Sequence, residues 1–147
     1  MKGKELLLLT LGIMAVGLVA GAGMDASSTN GQAQMPMTAD QQARWAKLSA
    51  TGKQKFGRFL AALAGAGYRL AWIETVGTGH VPGSRHDKGN AIDLNLFLPN
   101  GARLNKYWVE GGQDAGTEWN KVGLLAESLG IRWGGRFSTP DPNHFDI

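Results

Sequence analysis

One segment limits the fold more than any other. In Ala91-Ile92-Asp93-Leu94-Asn95-Leu96, apolar and polar residues alternate. A strand turns successive side chains to opposite faces, so Ile92, Leu94 and Leu96 share a buried face while Asp93 points away from the core. The C-terminal His144-Phe145-Asp146-Ile147 repeats the pattern, with Phe145 and Ile147 on one side and His144 and Asp146 on the other. Two strands thus bury their apolar sides and present Asp93 and His144 on their polar sides. His86 lies in the loop just before the first of them. If the strands are neighbours, the three side chains converge.

Around these strands the chain reads as α-α-β-β-α-β-β. Thr38-Ala39-Asp40-Gln41 has the form of a capping box opening a helix through Leu48, and Thr51-Gly52-Lys53-Gln54 has the form of a second. Behind it Phe56, Phe59, Leu60, Leu63 and Ala64 fall on one helical face, which Gly65 and Gly67 end. Tyr68 to Glu74 reads as a strand, Val76 to Asn90 as a Gly-rich loop, and Pro99-Asn100-Gly101 as the turn closing the strand Ala91 to Phe97. Thr117 can cap a third helix with Trp119, Val122, Ala126 and Leu129 inward and Gly130 as its stop. Ile131 to Trp133 and His144 to Ile147 are short terminal strands. This order predicts an α+β domain over 38–147, with helices packed on a small antiparallel sheet.

The 147 residues suit one domain plus an appendage. The appendage is the N-terminus. Lys2 and Lys4 precede an uncharged stretch from Leu6 to Met24, which as a helix would span about 28 Å, close to the apolar thickness of a bilayer. The lysines predict an inside N-terminus and an exported remainder. For residues 1–24 three readings fit: a signal peptide cleaved near Ala20-Gly21-Ala22, a permanent anchor with Gly17 and Gly21 as a close-packing pair, or a Gly/Ala-rich span resembling the signal-arrest-release segments of some phage endolysins. All three place the domain on the periplasmic or extracytoplasmic side, anchored or released, or within a virus particle. Residues 25–37 (DASSTNGQAQMPM) are polar, small and aperiodic, and read as a flexible linker.

There is no cysteine, so any metal must be held by histidine and carboxylates. The net charge of +3 is scattered, which suits mild attraction to a polyanionic wall and lacks the basic stripe that nucleic-acid binding needs. Nothing sets an oligomeric state. Two imidazoles and one carboxylate are a common catalytic zinc set that leaves a fourth position for water, whose pKa zinc lowers to about 7. Asp141, in the turn Pro140-Asp141-Pro142 three residues before His144, is placed to exchange a proton with that water. Asp146 is a spare carboxylate on the same strand face. Trp133 reads as a packing residue, with Gly134-Gly135 allowing close backbone approach.

At these residues a family resemblance becomes specific. Ser84-Arg85-His86-Asp87-Lys88-Gly89-Asn90-Ala91-Ile92-Asp93-Leu94 resembles the S-x-H-x6-D motif of the zinc D-alanyl-D-alanine dipeptidases and carboxypeptidases. Arg132-Trp133-Gly134-Gly135-Arg136-Phe137 followed by Asp141-Pro142-Asn143-His144-Phe145 is similar to the closing motif of the related L-alanyl-D-glutamate endopeptidases, phage endolysins among them. The similarity covers roughly residues 52–147. It implies a hedgehog-like fold, one zinc ion on His86, Asp93 and His144, Asp141 as general base, and hydrolysis of peptidoglycan stem peptides. Aspartate at 141 follows the endopeptidase branch, where the carboxypeptidases have glutamate. The family's upstream arginine, often accompanied by glutamine, has no counterpart in Ala71 to Gly79. Ser84, Arg85, Lys88 and His80 therefore stand as candidates for substrate binding. A catalytically impaired wall-binding protein, or a membrane-anchored structural protein of a virus particle, is the alternative on the same fold.

Overall fold

The computed structural model describes residues 35–77, 80, 82–112 and 114–147. The hydrophobic segment 1–24 and the linker up to residue 34 lie outside the described residues. Met35, within the segment that composition reads as linker, is buried in the core, and Met37 packs against it. Among the described residues no helix is long and apolar enough to cross a membrane.

Helix α1 spans Ala39–Ala46 and opens on the expected capping box: Thr38 Oγ1 accepts from Gln41 N, and Gln41 Oε1 accepts from Thr38 N at 2.8 Å. It ends at Ala46, two residues short of Leu48, with Lys47 as its C-cap. Helix α2 spans Ala50–Gly65, and its cap is Ser49 rather than Thr51. Ser49 Oγ accepts from Gly52 N at 2.9 Å and donates to Asn90 Oδ1 at 2.6 Å. The helix start is thereby tied to the loop that carries His86, a tertiary contact that local spacing does not reveal. Gly89 lies in that junction at φ +66; a Cβ there would stand 2.6 Å from Ser49 N.

Strand β1 (Arg69–Glu74), β2 (Ala91–Phe97), β3 (Arg103–Leu104), β4 (Arg132–Trp133) and β5 (His144–Asp146) form one antiparallel sheet in the order β1-β2-β5-β4, with β3 also paired to β2. β3, which is too short to show alternation, is absent from the sequence expectation. Helix α3 spans Ala115–Ser128, capped by Asp114 rather than Thr117. Asp114 accepts from Gly116 N, Thr117 N and Thr117 Oγ1, so Thr117 is a donor to the cap. Trp119, Val122 and Ala126 are buried as expected, but Leu129 falls at the C-cap and is 37% exposed.

The apolar sheet face meets α2 and α3. Phe145 packs 4.9 Å from Phe59 and 6.4 Å from Trp119, centroid to centroid. Phe56, Phe59, Leu60, Leu63, Ile73, Ile92, Leu94 and Leu96 are fully buried. Each such side chain contributes about 1.5 to 3 kcal/mol of burial, and together they hold β2 and β5 in one register. That register sets Ile92 opposite Phe145 on the core side and Asp93 opposite His144 on the other.

Candidate metal centre

His86 hangs from a tight turn. Its carbonyl accepts from Gly89 N at 2.9 Å, and Ser84 Oγ accepts from its N–H at 3.2 Å. The buried imidazole donates from Nδ1 to the Thr75 carbonyl at 2.6 Å, which leaves the Nε2 lone pair facing inward. Asp93 and His144 come from facing positions of β2 and β5. His86 Nε2 lies 3.2 Å from His144 Nδ1 and 3.5 Å from Asp93 Oδ1, and His144 Nδ1 lies 2.9 Å from Asp93 Oδ1. Three donors each about 2.0 to 2.1 Å from one tetrahedral zinc ion stand about 3.3 Å apart. The trio thus has the spacing and the nitrogen and oxygen donors that zinc takes.

Hydrogen bonds from behind orient these donors. His144 Nε2 stands 3.1 Å from Asp146 Oδ2 and donates to it, which leaves Nδ1 to face the trio. Asp146 is not the spare carboxylate its strand position suggests. It is 2% exposed and takes a bidentate pair from Arg132, 2.7 Å on each oxygen, with Arg85 Nε at 3.7 Å. The alternation that puts Asp146 on the His144 face was the available signal. Glu74, the register partner of Asp93, was not singled out from sequence either; it lies 3.8 Å from His80.

Charge follows this geometry. Burial favours the neutral acid of Asp93, but hydrogen bonds from His144 and His86 more than offset it and hold the carboxyl well below the usual range. Burial pulls both imidazoles down, and Asp93 outweighs it, so His86 and His144 each titrate above the ordinary histidine value. Asp146 is opposed by burial and kept ionised by Arg132 and His144.

Asp141 stands beside the trio. Its N–H donates to the Gly134 carbonyl at 2.9 Å and its carbonyl accepts from His144 N at 3.1 Å. A Cβ on Gly134 would sit 3.2 Å from Asp141 Cβ and 3.0 Å from His144 Cβ, so the glycine lets both residues close on one spot. Lys106 Nζ pairs with Asp141 Oδ1 at 2.8 Å. Burial lowers the Lys106 pKa, and Asp141 more than restores it. Lys106 was missed from sequence because nothing local links the turn after β3 to Asp141.

Three of the four substrate-binding candidates make contacts within the protein. Ser84 caps the turn under His86. Arg85 donates to the Ile147 carbonyl and neighbours Asp146. His80 stacks flat on His86, centroids 4.2 Å apart and planes within 2°. Lys88 is exposed.

Fold and site together make an α+β sheet domain with two imidazoles and a carboxylate gathered on the polar face of two paired strands. The family model described as D-alanyl-D-alanine carboxypeptidase matches residues 78–147, the stretch holding His86, Asp93, Lys106, Asp141 and His144. Residues 78–147 are thus similar to this peptidase family. The crystal structure of the Serratia marcescens L-Ala D-Glu endopeptidase ChiX is similar at TM-score 0.52 and 17% identity, covering 82% of this chain and 95% of that one, and it shows the same fold. No curated protein matches the chain significantly.

Proposed function

We propose that the protein is a zinc-dependent peptidase that hydrolyses stem peptides of bacterial peptidoglycan, cutting between L-Ala and D-Glu. The observation that carries the proposal is the spacing of His86 Nε2, Asp93 Oδ1 and His144 Nδ1, 2.9 to 3.5 Å apart on one side of the sheet. When bound there, zinc supplies a Lewis acid for the scissile carbonyl and lowers the pKa of a water molecule toward neutrality. The remaining work falls to the chain. Thr75 and Asp146 hold the two imidazoles in the tautomers that face inward. Asp141 accepts the proton of the attacking water and returns it to the departing amine. Aspartate at this position, and the endopeptidase whose fold the chain shares, favour the L-Ala–D-Glu bond over terminal D-Ala.

The uncharged segment from Leu6 to Met24 supports export, so the domain would work on the outer side of the cytoplasmic membrane. Protease added to spheroplasts should cut the linker; a fully protected domain that osmotic shock fails to release removes that part of the reading.

Mass spectrometry of purified wall digested with the zinc-loaded protein tests the activity and the bond together. New C-terminal L-Ala carboxylates, matched by new D-Glu N-termini, are expected. Release of terminal D-Ala alone would move the protein to the carboxypeptidase branch. An intact wall with one zinc bound per chain would make it a binding protein.

A further inference from the structure

The rim of the site carries a cation that no motif assigns. Lys106 lies in the turn after β3, where Asn105 N donates to Trp108 O at 2.9 Å and Leu104 bridges to Val109. Trp119, buried in the core, donates from Nε1 to Asn105 O at 2.9 Å and pins the base of this turn. The tip is therefore held by the core while its side chains are free to face outward. Tyr107 is 77% exposed and Trp108 53%. Lys106 instead reaches Asp141, and about a third of each side chain of that pair remains open to solvent.

An ion pair with about a third of each side chain open to solvent contributes little net stability, so its lysine exchanges partners easily. The neighbouring arginines are less available. Arg132 is bidentate on the buried Asp146, and Arg85 is drawn to Asp146 and the Ile147 carbonyl. Lys106 thus stands at the base with an ammonium that a competing carboxylate can take.

We propose that Lys106 anchors the free α-carboxylate that the substrate carries on the residue just after the scissile bond, and that its passage from Asp141 to that carboxylate releases the base. The proposal rests on the peptidoglycan reading but not on the choice of bond. A D-Glu extended through its γ-carboxyl and a terminal D-Ala both present a free α-carboxylate on the leaving side. Approach of substrate then does two things at once. It satisfies the ammonium, and it leaves the Asp141 carboxylate open to accept a proton.

The test compares two peptides on the zinc-loaded full chain: L-Ala-γ-D-Glu-L-Lys and its α-carboxamide, in which D-isoglutamine replaces D-Glu. A charged hydrogen bond of the usual strength should favour the carboxylate peptide by about tenfold to a hundredfold in kcat/KM. Lys106→Met should bring that ratio close to one, chiefly through KM on the carboxylate peptide, and Lys106→Arg should restore much of it. A ratio that survives Lys106→Met overturns the proposal. So does an equal fall in kcat on both peptides, which would make Lys106 a support for Asp141 alone. Calorimetric binding of the product γ-D-Glu-L-Lys provides an arm that needs no turnover. Lys106→Met should weaken it at least tenfold; equal binding by wild type and variant, or none by either, overturns the anchor. Wild-type protein that binds the product through Lys106 but cleaves no stem peptide would sink the enzymatic reading while leaving the anchor standing.

Discussion

Asp146→Asn changes one oxygen for an amide and reaches both the metal site and the fold. In the native protein the Asp146 carboxylate accepts from His144 Nε2 at 3.1 Å and from Arg132 at 2.7 Å on each oxygen, while almost wholly buried. Asparagine retains one acceptor, so it cannot serve Arg132 twice and His144 as well. Breaking a buried charge pair costs about 3 to 5 kcal/mol. The Arg132 side chain is 57% exposed, however, and can turn to water, so about 1 to 3 kcal/mol is the reasonable range. In a domain of roughly 100 residues each kcal/mol lowers Tm by about 4 to 8 °C. Loss of the charged partner also frees His144 to adopt the tautomer protonated on Nδ1, and outer-shell losses of this kind weaken metal binding by about 10 to 100-fold. The assay is a competition titration of zinc against a chromophoric chelator, run with a thermal melt of the chelated protein. Weaker zinc binding and a lower Tm are both expected, with activity largely recovered at saturating zinc. Wild-type zinc affinity in a folded Asp146→Asn protein would refute the assignment of Asp146 as the group that orients His144.

Other outcomes separate the remaining roles. Asp141→Asn should fold, hold one zinc and lose about 10² to 10⁴ in wall-lytic rate, as expected when a positioned general base is removed; full activity in that variant moves the base elsewhere. Alanine at His86, Asp93 or His144 should strip zinc and lower the Tm of protein assayed with the metal present, and one equivalent of zinc retained on His144→Ala would remove that residue from the site. The pH response should change sign with metal. A histidine raised in the folded state contributes stability below its unfolded pKa of about 6.5 and loses it as pH climbs through the folded value, whereas a depressed aspartate contributes above about pH 4 and loses it as pH falls through its folded value. With His86 and His144 raised and Asp93 lowered, chelated protein should be most stable between about pH 4 and 6.5 and should lose Tm toward pH 8. Zinc-loaded protein should gain Tm from pH 6 to 8 as protons stop competing for the ligands; melts that run parallel in the two forms would contradict this. Gly134→Ala should cost about 1 to 3 kcal/mol of stability by overpacking, because its Cβ would lie 2.4 Å from the Asp141 carbonyl; an unchanged melt would mean that this turn yields freely.

What the sequence determined is whatever depends on neighbours along the chain. The alternation of Ile92, Asp93 and Leu94 places Asp93 on the polar face whatever else surrounds it, because side chains alternate along any strand. The same argument places His144 opposite Phe145, and Thr38 with Gln41 closes its capping box within four residues. What tertiary structure decided is the choice among local alternatives of similar energy, and every pairing across distant segments. Ser49 caps α2 because its hydroxyl also reaches Asn90, a partner 41 residues away. Asp114 takes the α3 cap that Thr117 could have filled, since a carboxylate accepts from two backbone amides at once. Leu129 is apolar and spaced for the core, yet the helix ends beneath it and leaves it at the surface. Asp146 becomes the orienting group of the site only when β4 lies beside β5 and brings Arg132 across. Lys106 meets Asp141 only when the turn after β3 is pinned by Trp119. Periodicity records which way a side chain points; which group waits there is settled by strand order and packing.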